Sequence, residues 1–130
     1  MTDSSDLIGT IRTSKFPYYD VREKKMKYKS RPILVINAEK DLIPCDLTVL
    51  PISRVTEERH IHEEYDLKVL KSDYPLLNLK ENKSYIRTHK VNTVNSNDVA
   101  NKEMSSLKNT YPDLYSVSIA KVKQFIDEIN

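Results

Sequence analysis

Apolar and polar positions change their period once along the chain, near Asn95. Before that point, short β-branched and aromatic runs lie between turn signals; after it, apolar residues recur at helical spacing. The clearest element is Ile33-Leu34-Val35-Ile36, a continuous apolar run launched by Ser30-Arg31-Pro32. Such a run is the mark of a strand covered on both faces. Residues 7–16 predict a first strand, with Ile8 and Ile11 around the only glycine, Gly9, and with Pro17 ending it. Residues 20–30 are charged, with Met26 and Tyr28 as their apolar positions, and predict a mobile loop or a hairpin. Residues 37–44 connect to a strand at 47–53, where Leu47, Val49 and Pro51 share one face and Pro51 predicts an edge or a bulge. Tyr65, Leu67 and Val69 alternate with Asp66 and Lys68, the pattern of a half-buried strand. Asp73-Tyr74-Pro75 predicts a turn, and residues 84–94 one or two short strands.

The tail reads differently. Asn97 or Asp98 is placed to cap a short helix carrying Val99, Met104 and Leu107, which Pro112 interrupts. Ser116 is placed to cap a second helix, in which Ile119, Val122, Ile126 and Ile129 form a stripe beside Phe125. That stripe predicts packing against a sheet. Strands followed by helices give an α+β, mainly β fold, or a β-barrel with a helical cap. At 130 residues the chain is the size of one domain. The barrel is expected over about 7–95 and the helical tail over about 96–130.

A charged fraction of 31% beside a hydrophobic fraction of 38% describes a polar chain that can still fold. A net charge of +2 argues against a polybasic nucleic-acid binder defined by charge alone. Two local clusters remain: Lys24, Lys25, Lys27 and Lys29, and Arg87, His89 and Lys90. The single cysteine, Cys45, has no partner for an intrachain disulfide, which suits a reducing compartment, and it reads as a small apolar filler rather than a nucleophile. The segment Met1-Thr2-Asp3-Ser4-Ser5-Asp6 is polar and acidic, and no run approaches the ~18 apolar residues of a membrane span. Neither secretion nor membrane insertion is expected; a cytoplasmic setting is.

With one glycine, the chain has no phosphate loop or dinucleotide fingerprint. His60 and His62 can share a strand face but lack a third metal ligand, so they read as surface histidines, and Glu57, Glu58, Glu63 and Glu64 as a solvated run. Three features remain. Arg31 stands before proline at a rigid strand start. Ser53 places a hydroxyl at a sheet rim. Arg87 and His89, two apart on an expected strand, point the same way. Arginine to neutralise a phosphate, with histidine to exchange a proton near neutral pH, is a minimal kit for cleaving RNA without a metal.

The order of these pieces resembles the MazF/PemK family of toxin endoribonucleases, which includes Kid. Its members open with a Gly-x-Ile/Val strand, here Ile8-Gly9-Thr10-Ile11. After a charged loop comes Lys/Arg-x-Arg-Pro-hydrophobic, here Lys29-Ser30-Arg31-Pro32-Ile33-Leu34-Val35-Ile36. A strand then ends near Pro/Ala-Ile-Ser/Thr, here Pro51-Ile52-Ser53, and a later one runs into Lys90-Val91-Asn92-Thr93-Val94. The likeness covers about residues 7–95. It implies an SH3-like barrel with C-terminal helices, a symmetric homodimer, cofactor-free cleavage of single-stranded RNA, and an antitoxin as a separate chain. It implies catalytic roles for Arg31, Ser53, Arg87 and His89, with histidine where the Kid branch carries aspartate, and RNA contacts from Lys24, Lys25, Lys27, Lys29 and Lys90. The lysine loop reads equally as a solvated loop. The family's Gln-x-Arg before Thr-Ile is Lys90-Val91-Asn92 here, and its loop glycines are missing. A barrel that kept the fold but lost the chemistry, acting as a protein- or nucleic-acid-binding regulatory module, is the alternative.

Overall fold

The computed structural model describes residues 3–130, so Met1 and Thr2 of the polar N-terminal segment lie outside the described residues. Seven strands form one curled antiparallel sheet, a half-barrel closed on one side by a C-terminal helix; the fold is mainly β within the α+β class, as expected. In chain order the strands are β1 (Thr10–Asp20), β2 (Lys25–Ala38), β3 (Asp46–Ser53), β4 (Asp66–Leu70), β5 (Lys83–Arg87), β6 (Asn92–Asn95) and β7 (Ser105–Ser106). They lie side by side as β4-β5-β3-β2-β1-β7, with β6 also on β3.

The Ile33 to Ile36 run lies in the middle of β2 and is covered on both sides. Leu34 joins a core with Ile11, Leu50, Ile52, Ile86 and Val122, while Ile33 and Val35 join a second core with Leu47, Val49, Cys45 and Val99. Alternation in a strand sends neighbours to opposite faces, so one apolar run supplies both layers. A register shift between Val35 and Asn37 bulges β2 against β3 and adds to the curl. Cys45 is buried in the second core, in keeping with its reading as filler.

The charged stretch at 20–30 is a hairpin, the second of the two alternatives. β1 and β2 pair from Ile11↔Leu34 out to Asp20↔Lys25, and the Asp20 carboxylate accepts from the Glu23 N–H (2.9 Å) across the turn. Pro17 does not end β1. It pairs with Tyr28 on a stretch where β2 is the only strand beside β1, so a residue without an N–H costs no ladder bond. At the other end the strand starts at Thr10, later than expected, because Gly9 turns the chain with φ +86°. A Cβ there would stand 2.5 Å from Lys108 Cβ. Only glycine meets both conditions.

The tail corrects two expectations. No helix spans Val99 to Leu107: Asn95 caps a single 3-10 turn (Ser96–Asp98), Val99 bridges to Ser14, and β7 intervenes before a one-turn helix α1 (Leu107–Thr110). Arg12, buried, holds this segment by donating from Nη1 to the carbonyls of Ala100 and Asn101 and from Nε to Thr10 Oγ1 (2.9 Å). The second helix, α2 (Pro112–Asp127), starts at Pro112 rather than at Ser116, since the first helical position needs no N–H. Leu114, Tyr115, Ser118 and Val122 face the core, whereas Ile126 and Ile129 are exposed. No helix is long and apolar enough to cross a membrane among the described residues.

Candidate functional site

The break between β5 and β6 makes the site. Both strands run along the same side of β3: β5 pairs with Ile52 and Ser53, β6 with residues 46–49, and Leu50 and Pro51 have no partner on that side. Pro51 has no N–H to offer a ladder, so the chain leaves β3 there and returns after a turn, in which the Lys90 N–H donates to the Arg87 carbonyl (3.1 Å). Pro51 is therefore central and marks a change of partners, not the edge or bulge expected of it. Thr88, fully buried, ties the turn to β4 by donating its N–H (3.1 Å) and hydroxyl (2.6 Å) to the Tyr65 carbonyl. His89 follows in the turn rather than on the strand that ends at Arg87.

Both side chains nevertheless reach one carboxylate. Asp66, paired with Arg87 across β4 and β5, accepts from Arg87 Nε at Oδ1 (3.0 Å) and from Nη2 at Oδ2 (3.1 Å). His89 Nδ1 stands 3.7 Å from Asp66 Oδ1, within reach of its charge but too far for a hydrogen bond. Side-chain exposure is 0% for Asp66, 19% for Arg87 and 12% for His89. The rings of His62, Tyr65 and Phe125 pack 5.0, 6.2 and 6.3 Å from the imidazole. Burial pushes the His89 pKa below the ordinary histidine value, Asp66 opposes the shift, and the charges of Arg87, His62 and Lys90 add to it. Burial, with the carboxylates of Glu128 and Glu64 nearby, raises the Tyr65 phenol to about 12. The shift favours the uncharged imidazole, whose Nδ1 is buried without a hydrogen-bond partner.

Asp66 is the residue that sequence reading passed over. It occupies a polar position in an alternating strand, and nothing local tells it from Lys68, which is exposed. The histidines set aside as surface residues contribute through their backbones: the His62 N–H donates to Asp66 Oδ2 (2.9 Å), and the His60 carbonyl accepts from Arg87 Nη2 (2.9 Å). No group of three or more His, Cys, Asp or Glu side chains is set to hold a metal ion among the described residues.

Arg31 and Ser53 share a sheet face with Arg87. Ile33 pairs with Pro51, so by alternation Arg31 and Ser53, each two residues away, lie on that same face, and Ser53 pairs with Tyr85, two residues from Arg87. The Arg31 guanidinium lies over the Phe16 ring, 5.8 Å from its centre. Burial lowers its pKa, and the charge of Arg87 adds to the effect, which places two cations in one field. Ser53 Oγ is buried with no partner. Both residues also border a trough of about 610 Å³ whose cations are Lys29, Arg31, Arg54 and Lys80. Arg87 and His89 do not line that trough, so the four expected catalytic residues form two adjoining groups rather than one pocket.

The lysine cluster is divided. Lys27 pairs with Asp20 (3.2 Å) and Glu23, Lys25 with Glu23 (3.9 Å), and Lys29 sits over the Tyr18 ring. Lys24 forms the turn at φ 55°, and Lys90 is exposed next to His89. Lys29 alone of these enters the trough. Arg54 and Lys80, its further cations, come from the end of β3 and the loop before β5, positions without periodicity to announce them.

Fold and site together define a small antiparallel half-barrel carrying a buried Asp–Arg–His cluster beside a basic trough. No protein-family model matches the chain, and no curated protein matches it at a significant level.

Proposed function

We propose that the protein is a metal-independent endoribonuclease acting on single-stranded RNA, a toxin of the MazF/PemK kind. The observation that carries this reading is the buried Asp66 carboxylate holding Arg87 while facing a neutral, otherwise unpartnered His89. A base that works at neutral pH must be unprotonated there, and burial keeps His89 so. With Nδ1–H turned toward Asp66, the Nε2 lone pair is free to take the proton of a ribose 2′-hydroxyl. The 2′-oxygen attacks phosphorus, the bond to the 5′-oxygen breaks, and that oxygen takes a proton from water. Arg87 offsets the charge that builds on the phosphoryl oxygens beside His89, and Arg31, next to Ser53 in the adjoining group, adds its charge from the trough along the same RNA strand. The products are a 2′,3′-cyclic phosphate and a 5′-hydroxyl.

The same reading carries a homodimer, a separate antitoxin chain as partner, and a cytoplasmic setting. Incubating the protein with a long unstructured RNA in EDTA tests it. Cleavage that His89→Ala and Arg31→Ala abolish supports the site; intact RNA with wild type, or undiminished cutting by either variant, removes it.

One observation favours a second reading, a binding module without chemistry. The Arg87 guanidinium already gives Nε to Asp66 and Nη2 to both Asp66 and the His60 carbonyl. Such a cation stabilises the fold as much as it serves a phosphate. Salt-sensitive RNA binding with no product would favour that module.

A further inference from the structure

We propose that the hollow beside Tyr28 is a nucleobase subsite for single-stranded RNA, taking a base with an exocyclic amino group, cytosine being the simplest. The hollow has a volume of about 500 Å³ and is lined by Lys15, Tyr28, Lys29, Ser30 and Asp98. It adjoins the basic trough, since Lys29 and Ser30 line both. From Tyr28 to Pro32 the two hollows follow β2 for about 13 Å at ~3.3 Å per residue, room for about four nucleotides at the ~3.4 Å rise of stacked bases.

The ribbon formed by the outer halves of β1 and β2 has two unlike faces. Register and alternation put Pro17, Tyr19, Met26 and Tyr28 on one side and Tyr18, Lys25, Lys27 and Lys29 on the other. The lysine side is largely satisfied within the molecule, by Asp20, Glu23 and the Tyr18 ring. The apolar side is open to solvent, with Tyr28 69% and Tyr19 56% exposed. The face free to meet a ligand is therefore aromatic.

Three chemistries converge at Tyr28. An exposed phenol ring at the wall of a concavity is a platform on which a base stacks, whatever its identity. Lys15, on the same face as Tyr28, supplies charge for a flanking phosphate, and Lys29 belongs to the junction with the trough. Asp98 adds an acceptor-only group, the kind that takes a hydrogen bond from the 4-amino group of cytosine and repels the 4-carbonyl of uracil. A second copy of the chain would also cover an apolar ribbon. It would not call for a lysine and a carboxylate beside the aromatic ring in a hollow continuous with a basic trough.

The inference rests on reading that trough as an RNA site, and its test does not depend on cleavage. Fluorescein-labelled oligocytidylate and oligouridylate are titrated with the full chain in low salt, and anisotropy gives both affinities. The expected result is oligocytidylate held at least about 5-fold tighter, the low end for one specific base contact. Asp98→Ala should erase the preference, and Tyr28→Ala should weaken both ligands about 10-fold, as loss of one stacking platform does. Tyr28 and Asp98 are exposed, so unchanged melting serves as the folding control. Equal affinities in wild type overturn the proposal, as does Tyr28→Ala without effect on binding. So does a Tyr28→Ala variant that alters only self-association in sedimentation, which would give the face to a second copy. Tight oligocytidylate binding without cleavage keeps the subsite and refutes the nuclease; cleavage without base preference does the reverse.

Discussion

Replacing Asp66 by alanine while Arg87 stays in place should be among the most damaging changes of a polar residue in this chain. The carboxylate accepts three hydrogen bonds, from Arg87 Nε (3.0 Å), Arg87 Nη2 (3.1 Å) and the His62 N–H (2.9 Å). Its loss leaves a guanidinium with only the His60 carbonyl, in a setting where its side chain is 19% exposed. Breaking a buried pair from one side costs ~3–5 kcal/mol; partial access of Arg87 to water argues for about 3. Arg87→Ala strands a carboxylate with one backbone donor and should cost about as much. If the two act as a unit, the double variant also loses about 3 to 4 kcal/mol rather than the ~6 of a simple sum, a coupling of about 2 to 3 kcal/mol. At ~4 °C per kcal/mol for a domain of this size, each single variant should melt about 12 °C below wild type. Urea unfolding followed by circular dichroism gives the four stabilities of the cycle. Single losses that add to within ~0.5 kcal/mol in the double variant would refute the pair as a coupled, buried unit.

The pH dependence of stability follows from His89. Its folded pKa lies below the unfolded value, so the unfolded chain binds the proton first; this contribution is whole above pH ~6.5 and shrinks as pH falls toward the folded pKa. Melting temperature should hold near pH 7 to 8 and drop below pH 6.5, and His89→Gln should flatten the drop; an unchanged slope would remove His89 as its source. Gly9→Ala combines φ +86° with a Cβ 2.5 Å from Lys108 Cβ and should lower stability by at least about 2 kcal/mol, read from urea midpoints; a cost under ~0.5 kcal/mol would contradict that geometry. Among the cations, Lys80→Ala should reduce the salt dependence of RNA binding by about one phosphate contact, and Lys27→Ala, already paired with Asp20 and Glu23, should hardly change it. Equal slopes for the two variants would displace RNA from the trough.

What could be read in the sequence follows from how local each signal is. The strand at Ile33 to Ile36 was legible because a run of β-branched and aliphatic residues needs cover on both faces whatever surrounds it, and both cores meet on it. Pro17 misled because proline breaks a ladder only where a strand lies on the side its N–H would face, and which strands have a free side is decided by the whole sheet. The stripe through Ile126 and Ile129 misled because periodicity reports an apolar face without saying where the helix stops touching the core; α2 ends at Asp127. Arg31, Ser53, Arg87 and His89 stood out as candidates by residue type and order, and that they fall into two adjoining groups is decided by the sheet register. Asp66 did not stand out, since its meaning comes from pairing with Arg87, 21 positions away. Pro51 alone predicts an edge or a bulge, whereas it marks the point where β3 changes partner from β6 to β5, which depends on the whole sheet.

The most direct test of the central claim is the chemistry of the RNA ends left after brief exposure to the protein in EDTA. The proposed cleavage leaves 2′,3′-cyclic phosphates facing 5′-hydroxyls at discrete positions, with both absent after treatment with His89→Ala. Ends of 3′-hydroxyl and 5′-phosphate, or cyclic phosphates made equally well by His89→Ala, would contradict it.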